Sequence, residues 1–165
     1  MHRTALLAIF AAAAVVAAIV YALTPTAGAT QDKTLRLFEH DTQQASLDLG
    51  GKGNNPGNLY VYAGDVFDHA GGSKLGRAGG YCMTTSGNAQ DAGEVFCTAT
   101  LQLTGGQITG QGLFDAADLF AKGKALPFPI TGGTGTYNGA HGWATVQVPP
   151  DVPNGTDANF VLHLS

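Results

Sequence analysis

At 165 residues the chain is sized for one domain, and only 12% of its residues are charged. Eight Lys and Arg against 12 Asp and Glu give a net charge of −4, and no basic stripe occurs, which argues against nucleic acid as a partner. Two cysteines without CxxC spacing exclude a zinc framework, and the polar positions are filled by Thr, Gln, Asn and Gly, which suits a β protein better than a helical one.

The N-terminus reads as an export signal. His2 and Arg3 form a short basic start, Ala5–Leu23 is apolar apart from the Tyr21 hydroxyl, and Pro25 breaks any helix. Ala27-Gly28-Ala29 supplies the small-x-small pattern of a cleavage site. The expectation is a signal peptide over residues 1–29, a secreted domain over 30–165, and no membrane contact after cleavage. The competing reading is an uncleaved anchor, because the apolar run approaches the length that spans a bilayer. Cleavage removes Arg3 and no acid, leaving seven basic and 12 acidic residues and a charge of −5.

The first strand pattern is Leu35 to Asp41. Alternation puts Leu35, Leu37, Glu39 and Asp41 on one face and Arg36, Phe38 and His40 on the other. A carboxylate therefore shares a face with two leucines. Glu39 is either solvated at a strand end or desolvated in a cavity, where burial would raise its pKa and fit it for proton chemistry. A short alternating run, Ala45–Leu49, leads into the loop Gly50–Gly57, placed by its composition at an open end of the fold.

Asn58–Asp65 alternates again, with Leu59, Val61, Ala63 and Asp65 on one face and Tyr60 and Tyr62 on the other. Leu75–Thr85 is the next strand, followed by a polar loop and the run Val95–Leu103, whose Val95, Cys97, Ala99 and Leu101 face inward by hydrophobicity. Cys82 and Cys97 lie on these two strands. In an exported chain such a pair forms a disulfide, with two buried free thiols as the alternative. Gly105-Gly106 then turns the chain into Gln107–Leu113, a hairpin. Phe114–Lys124 supports one helical turn or a loop. Pro127 and Pro129 make Ala125–Ile130 an edge-like or irregular strand.

Thr131–Trp143, TGGTGTYNGAHGW, is a glycine-dense connection to the strand Gly142–Val148. It is not a phosphate loop, since no Lys-Ser or Lys-Thr follows, and Asn138 replaces the third glycine of a dinucleotide fingerprint. A Pro/Asn/Gly loop and the strand Asn159–Leu164 end the chain. His40, His69, His141 and His163 lack metal-ligand spacing, and no Gly-x-Ser-x-Gly marks a hydrolase. About eight short, closely spaced strands predict an antiparallel barrel or sandwich.

Three blocks in order resemble the allene oxide cyclase and dirigent proteins. They are Gly64–Asp68 with Lys74–Cys82, the hairpin through Gly105-Gly106 into Gln107-Ile108-Thr109-Gly110-Gln111-Gly112, and the run Ile130–Gly142. The resemblance covers nearly all of Leu35–Leu164. It implies an eight-stranded antiparallel β-barrel around an apolar cavity, often a trimer. It further implies a cofactor-free activity that steers cyclisation, isomerisation or coupling of a small apolar molecule. Glu39 matches the barrel glutamate of the plant cyclases, and Cys82 matches their cysteine. Asp41 stands where they carry Asn, and Gly64 where they carry a second Asn. Asp65 matches one of the paired acids of dirigent proteins, and Arg77 their arginine. The resemblance thus nominates Glu39 and Asp65 as catalytic cavity acids, with Asp41 and Cys82 facing the ligand. The alternative it leaves open is a barrel that binds a hydrophobic ligand, or is purely structural, without turnover.

Overall fold

The computed structural model describes residues 33–50, 52–152 and 157–165. The expected signal peptide lies outside the described residues. Among those described, no helix is long and apolar enough to cross a membrane.

Eight antiparallel strands close into a barrel in chain order, each pairing with its sequence neighbours and the last with the first. They are β1 (Lys33–Leu47), β2 (Leu59–Phe67), β3 (Lys74–Ser86), β4 (Glu94–Leu103), β5 (Gly106–Asp115), β6 (Ala125–Gly133), β7 (Gly142–Gln147) and β8 (Ala158–Leu164). One helical turn, α1 (Ala116–Leu119), follows β5, as the sequence suggested. Asp115 caps it: its Oδ1 accepts from the amides of Ala117 and Asp118 at 2.8 and 3.2 Å. Closure gives every strand a neighbour on both sides, and an eight-stranded lumen holds side chains or one small ligand.

The two ends of the barrel differ. At the end where β1 begins, Val66, Ile108 and Leu162 are at most 1% exposed and the lumen is filled. Burial of each such side chain contributes about 1.5–3 kcal/mol, and the void left among their neighbours is only about 20 Å³. The glycine-rich stretch belongs to this filled end. Thr134 and Thr136 donate from their amides to the carbonyls of Gln107 and Gly105, each at 2.8 Å. Gly135, at φ 61°, rests against Gly105 so closely that a Cβ would lie 2.0 Å from its carbonyl oxygen. The stretch is therefore a structural lock between the β4–β5 turn and β7.

At the other end the strands carry smaller or ring-bearing residues and the lumen is hollow. Asn54 of the loop after β1 donates to the Ala92 carbonyl at 2.9 Å, which ties that loop to the β3–β4 loop at this open end, where composition placed it. A seam also opens here. The β5–β6 ladder consists of three pairs, Ile108 with Gly133, Thr109 with Gly132 and Gly110 with Ile130. Beyond Ile130 the strand pairs with β7 alone, so Pro127 and Pro129 sit on the side that needs no amide donors. The two prolines made this segment edge-like in sequence, and it is edge-like on one flank only. α1 covers the gap.

Candidate active site

The hollow end forms a cavity of about 110 Å³ whose polar groups come from β1 and β2. Glu39 and Asp41 face it from β1, and Tyr60 and Tyr62 from β2. Phe128 and Phe160 supply apolar wall, and Phe120, just past α1, stands at the mouth. Phe120 meets the Tyr60 ring edge-on with centroids 6.0 Å apart, and the two tyrosine rings stack at 6.1 Å.

Alternation along β1 carries Leu37 and Glu39 inward, as the sequence predicted. A bulge between Asp41 and Gln43 then shifts the register against β2. Asp41 faces the cavity by the same alternation, and the extra residue after it brings Gln44 to the rim, where its Oε1 lies 2.7 Å from the Tyr60 hydroxyl. That hydroxyl is also 3.4 Å from Asp41 Oδ2. With one proton to donate, it serves the nearer acceptor first, so Asp41 is weakly supported.

Glu39 is 2% exposed, and its Oε1 is buried without a hydrogen-bond partner. Gly64, directly inward on β2, makes the room. A Cβ there would lie 2.9 Å from both Cγ and Oε1 of Glu39. The position where the plant cyclases carry Asn is thus empty space that the glutamate occupies. Gly80 does the same for Tyr62: a Cβ would fall 2.8 Å from the phenol oxygen. Asp41 Oδ1 is the second buried oxygen without a partner.

These environments separate the two carboxyl groups. Burial raises Glu39 from 4.5 to about 8, helped by the nearby charges of Asp41 and Asp157. Burial also raises Asp41, from 3.8 to about 6, opposed by the Tyr60 hydroxyl. At pH 7 Glu39 is mostly protonated and Asp41 mostly ionised. One acid and one carboxylate at a shared apolar site is the arrangement from which acid and base roles are built. Burial pushes the Tyr60 phenol up to about 12 and the Tyr62 phenol higher still, so both stay neutral donors. Asp157, just before β8, faces the same end and is held 2.9 Å from His40 Nδ1.

Three of the four sequence-nominated site residues line the cavity: Glu39, Asp41 and Cys82. Cys82 does so as half of a disulfide with Cys97, its direct cross-strand partner, so it offers wall and no thiol. Asp65 is corrected. Gly64 and Val66 are buried inward, and alternation therefore turns Asp65 outward, where Lys74 Nζ sits 2.7 Å from its Oδ1. It does not join the lumen acids. Asp65→Asn is accordingly expected to cost under about 1 kcal/mol, the scale of an exposed ion pair, and to leave ligand affinity unchanged; thermal melts and binding isotherms check both.

Sequence reasoning passed over Tyr60, Tyr62, Gln44, Phe120 and Asp157. The available signal was Tyr-x-Tyr with Gly80 opposite Tyr62, a large ring registered against a missing side chain.

No curated protein matches the sequence. Solved structures do. A pyocyanin demethylase is 25% identical over 81% of this chain and 100% of its own, with a TM-score of 0.65. The Diels-Alderase AbmU from Streptomyces koyangensis is 20% identical over 88% of this chain and 78% of its own, at 0.60. A pterocarpan synthase dirigent protein is 13% identical over 82% and 95%, at 0.61. The last two likenesses concern the fold alone. The model of the allene oxide cyclase barrel-like domain matches residues 38–162, from the strand that carries Glu39 to the strand that closes the cylinder. The chain belongs to the allene oxide cyclase barrel-like family.

Proposed function

We propose that the barrel binds a small, largely apolar molecule and promotes its cyclisation, isomerisation or coupling, with Glu39 as proton donor and Asp41 as the neighbouring carboxylate. The observation that carries this reading is the Glu39 carboxyl: 2% exposed, unpartnered, and facing an apolar cavity. An acid that stays protonated near neutral pH can hand its proton to a reacting oxygen or nitrogen, and the surrounding rings fix the substrate's shape. Cyclisation and isomerisation balance with side chains alone, and a coupling would take partners already activated elsewhere, so the proposal includes no cofactor. The names of the structural neighbours, which include Diels-Alderases, a demethylase and dirigent proteins, support chemistry on a small molecule in a barrel of this kind. We also propose that the barrel works outside the cytoplasm. The Cys82–Cys97 bridge supports an oxidising compartment.

The test is native mass spectrometry of the protein from its own host, followed by incubation of any co-purified ligand with fresh protein. Wild type is expected to convert it, and Glu39→Gln to bind it while losing roughly a hundredfold in rate. Equal rates in the two proteins, or binding without conversion in both, would remove the catalytic role and leave a ligand-holding barrel.

A further inference from the structure

We propose that the cavity takes a planar, weakly basic nitrogen compound, such as an N-heteroaromatic ring, and holds it as its protonated form between Glu39 and Asp41. This rests on the small-molecule reading above and specifies the ligand's chemistry. Glu39 Oε1 and Asp41 Oδ1 are both buried with no donor. A buried oxygen left unpaired costs about 1–3 kcal/mol, and more when charged, until a donor arrives. Among the described residues lining the cavity there is no Lys, Arg or His, the Tyr60 hydroxyl is engaged with Gln44, and neither tyrosine hydroxyl reaches these two oxygens, so a cationic N–H donor can come only with the ligand. An anionic head group would instead meet two acids of its own sign.

The walls select for shape. Tyr60 and Tyr62 stack nearly parallel, 22° apart, and Phe128 and Phe160 add further apolar surface. Flat faces with electron-rich π systems favour a planar cation over an equally apolar neutral molecule. A flat ring with a nitrogen on its edge can reach the carboxyls while its body lies among these rings.

The proton balance is simple. The O–H bond of the Glu39 carboxyl breaks, the proton adds to the nitrogen lone pair, and a carboxylate and an N–H cation remain as a pair. Where Glu39 is already ionised, one proton enters from the buffer instead. The other titratable groups facing these carboxyls are Tyr60 and Tyr62 on β2 and Asp157 before β8, whose partner His40 lies on β1 with its side chain 58% exposed.

Quinoline and naphthalene test the inference with the full chain at pH 8, where quinoline in water is the free base. Bound quinoline is expected to show the absorption and emission of quinolinium. It should bind roughly tenfold tighter to wild type than to Glu39→Gln, because a charge-assisted hydrogen bond is lost. Naphthalene should bind both proteins alike. Should Glu39→Gln not fold, Asp41→Asn serves as the second variant and is expected to lower the quinolinium fraction. Bound quinoline that keeps its free-base spectrum, or bound naphthalene with no bound quinoline, overturns this inference and leaves the apolar cavity standing. A quinolinium spectrum that survives in both variants also overturns it. Failure of both compounds to bind removes the small-molecule reading itself.

Discussion

Glu39→Gln is expected to abolish most of the decline in stability that the barrel shows as pH rises from 4.5 to about 8. The sign follows from proton linkage. The folded state holds the Glu39 proton more tightly than the unfolded chain does, so between these values it binds more protons and stability falls with pH. The contribution is fully present below pH 4.5, declines through the window, and is gone above about 8. At ~1.4 kcal/mol per pH unit the rise corresponds to roughly 4–5 kcal/mol, appropriate to a side chain withdrawn almost completely from water. Asp41 adds a smaller decline of the same sign between 3.8 and about 6, reduced by its partial exposure. A glutamine cannot ionise, so the variant's unfolding free energy should be nearly flat where wild type's declines. Denaturant titrations of both proteins at pH 5 and pH 9 measure the difference. Parallel profiles would mean that Glu39 is ionised in the folded barrel at neutral pH. The same substitution that removes the proton donor should thus make the protein more robust in alkali, as expected where function holds a group in an unfavourable site.

Cys82→Ala with Cys97→Ala should lower the unfolding free energy by about 3 kcal/mol, the chain-entropy value for a loop of this length. The two residues are 15 positions apart and face each other across β3 and β4. The bridge therefore restricts the unfolded chain while adding little to a native pairing that ten register contacts already fix. Two buried side chains are also reduced in size, at 8% and 3% exposure, which adds to the loss. For a domain of this size the shift in Tm is roughly 10 °C. Calorimetry of the double variant beside wild type, with and without reductant, reads it directly. A double variant that melts with oxidised wild type would show that the bridge contributes nothing to stability. Because the pair lines the cavity, the variant also reports whether ligand binding needs that wall.

The barrel was legible in the sequence because period-two alternation runs through most strands and the turns fall at glycine pairs. The inward faces of β1 and β4 follow directly from Leu35, Leu37 and Glu39 and from Val95, Cys97, Ala99 and Leu101. β2 gave two alternating faces without deciding which one turns inward. Its small aliphatic face, Leu59, Val61 and Ala63, turns outward, with Val61 40% exposed, while the tyrosine face turns in. Alternation put Asp65 with that aliphatic face; its nomination as a cavity acid came from its match to the paired acids of dirigent proteins, and the outward turn of the face takes it out of the lumen. The bulge at Asp41–Gln43 left no composition signal, and it decides that Gln44 joins Asp41 at the cavity end. Phe120 and Asp157 could not be assigned from the sequence because they sit on connections, whose paths depend on the strands they join. The glycines of Thr131–Trp143 drew attention by density, yet the informative ones were Gly64 and Gly80, single residues whose missing side chains house Glu39 and Tyr62.

The most direct measurement is the titration of the glutamate side-chain carboxyl carbons by NMR, compared between wild type and Glu39→Gln. One resonance, absent from the variant, is expected to stay protonated through pH 7 and to titrate near 8. If every glutamate titrates below about pH 5, in the ordinary range for a solvated carboxyl, then Glu39 is in contact with water and the proton-donating cavity does not exist.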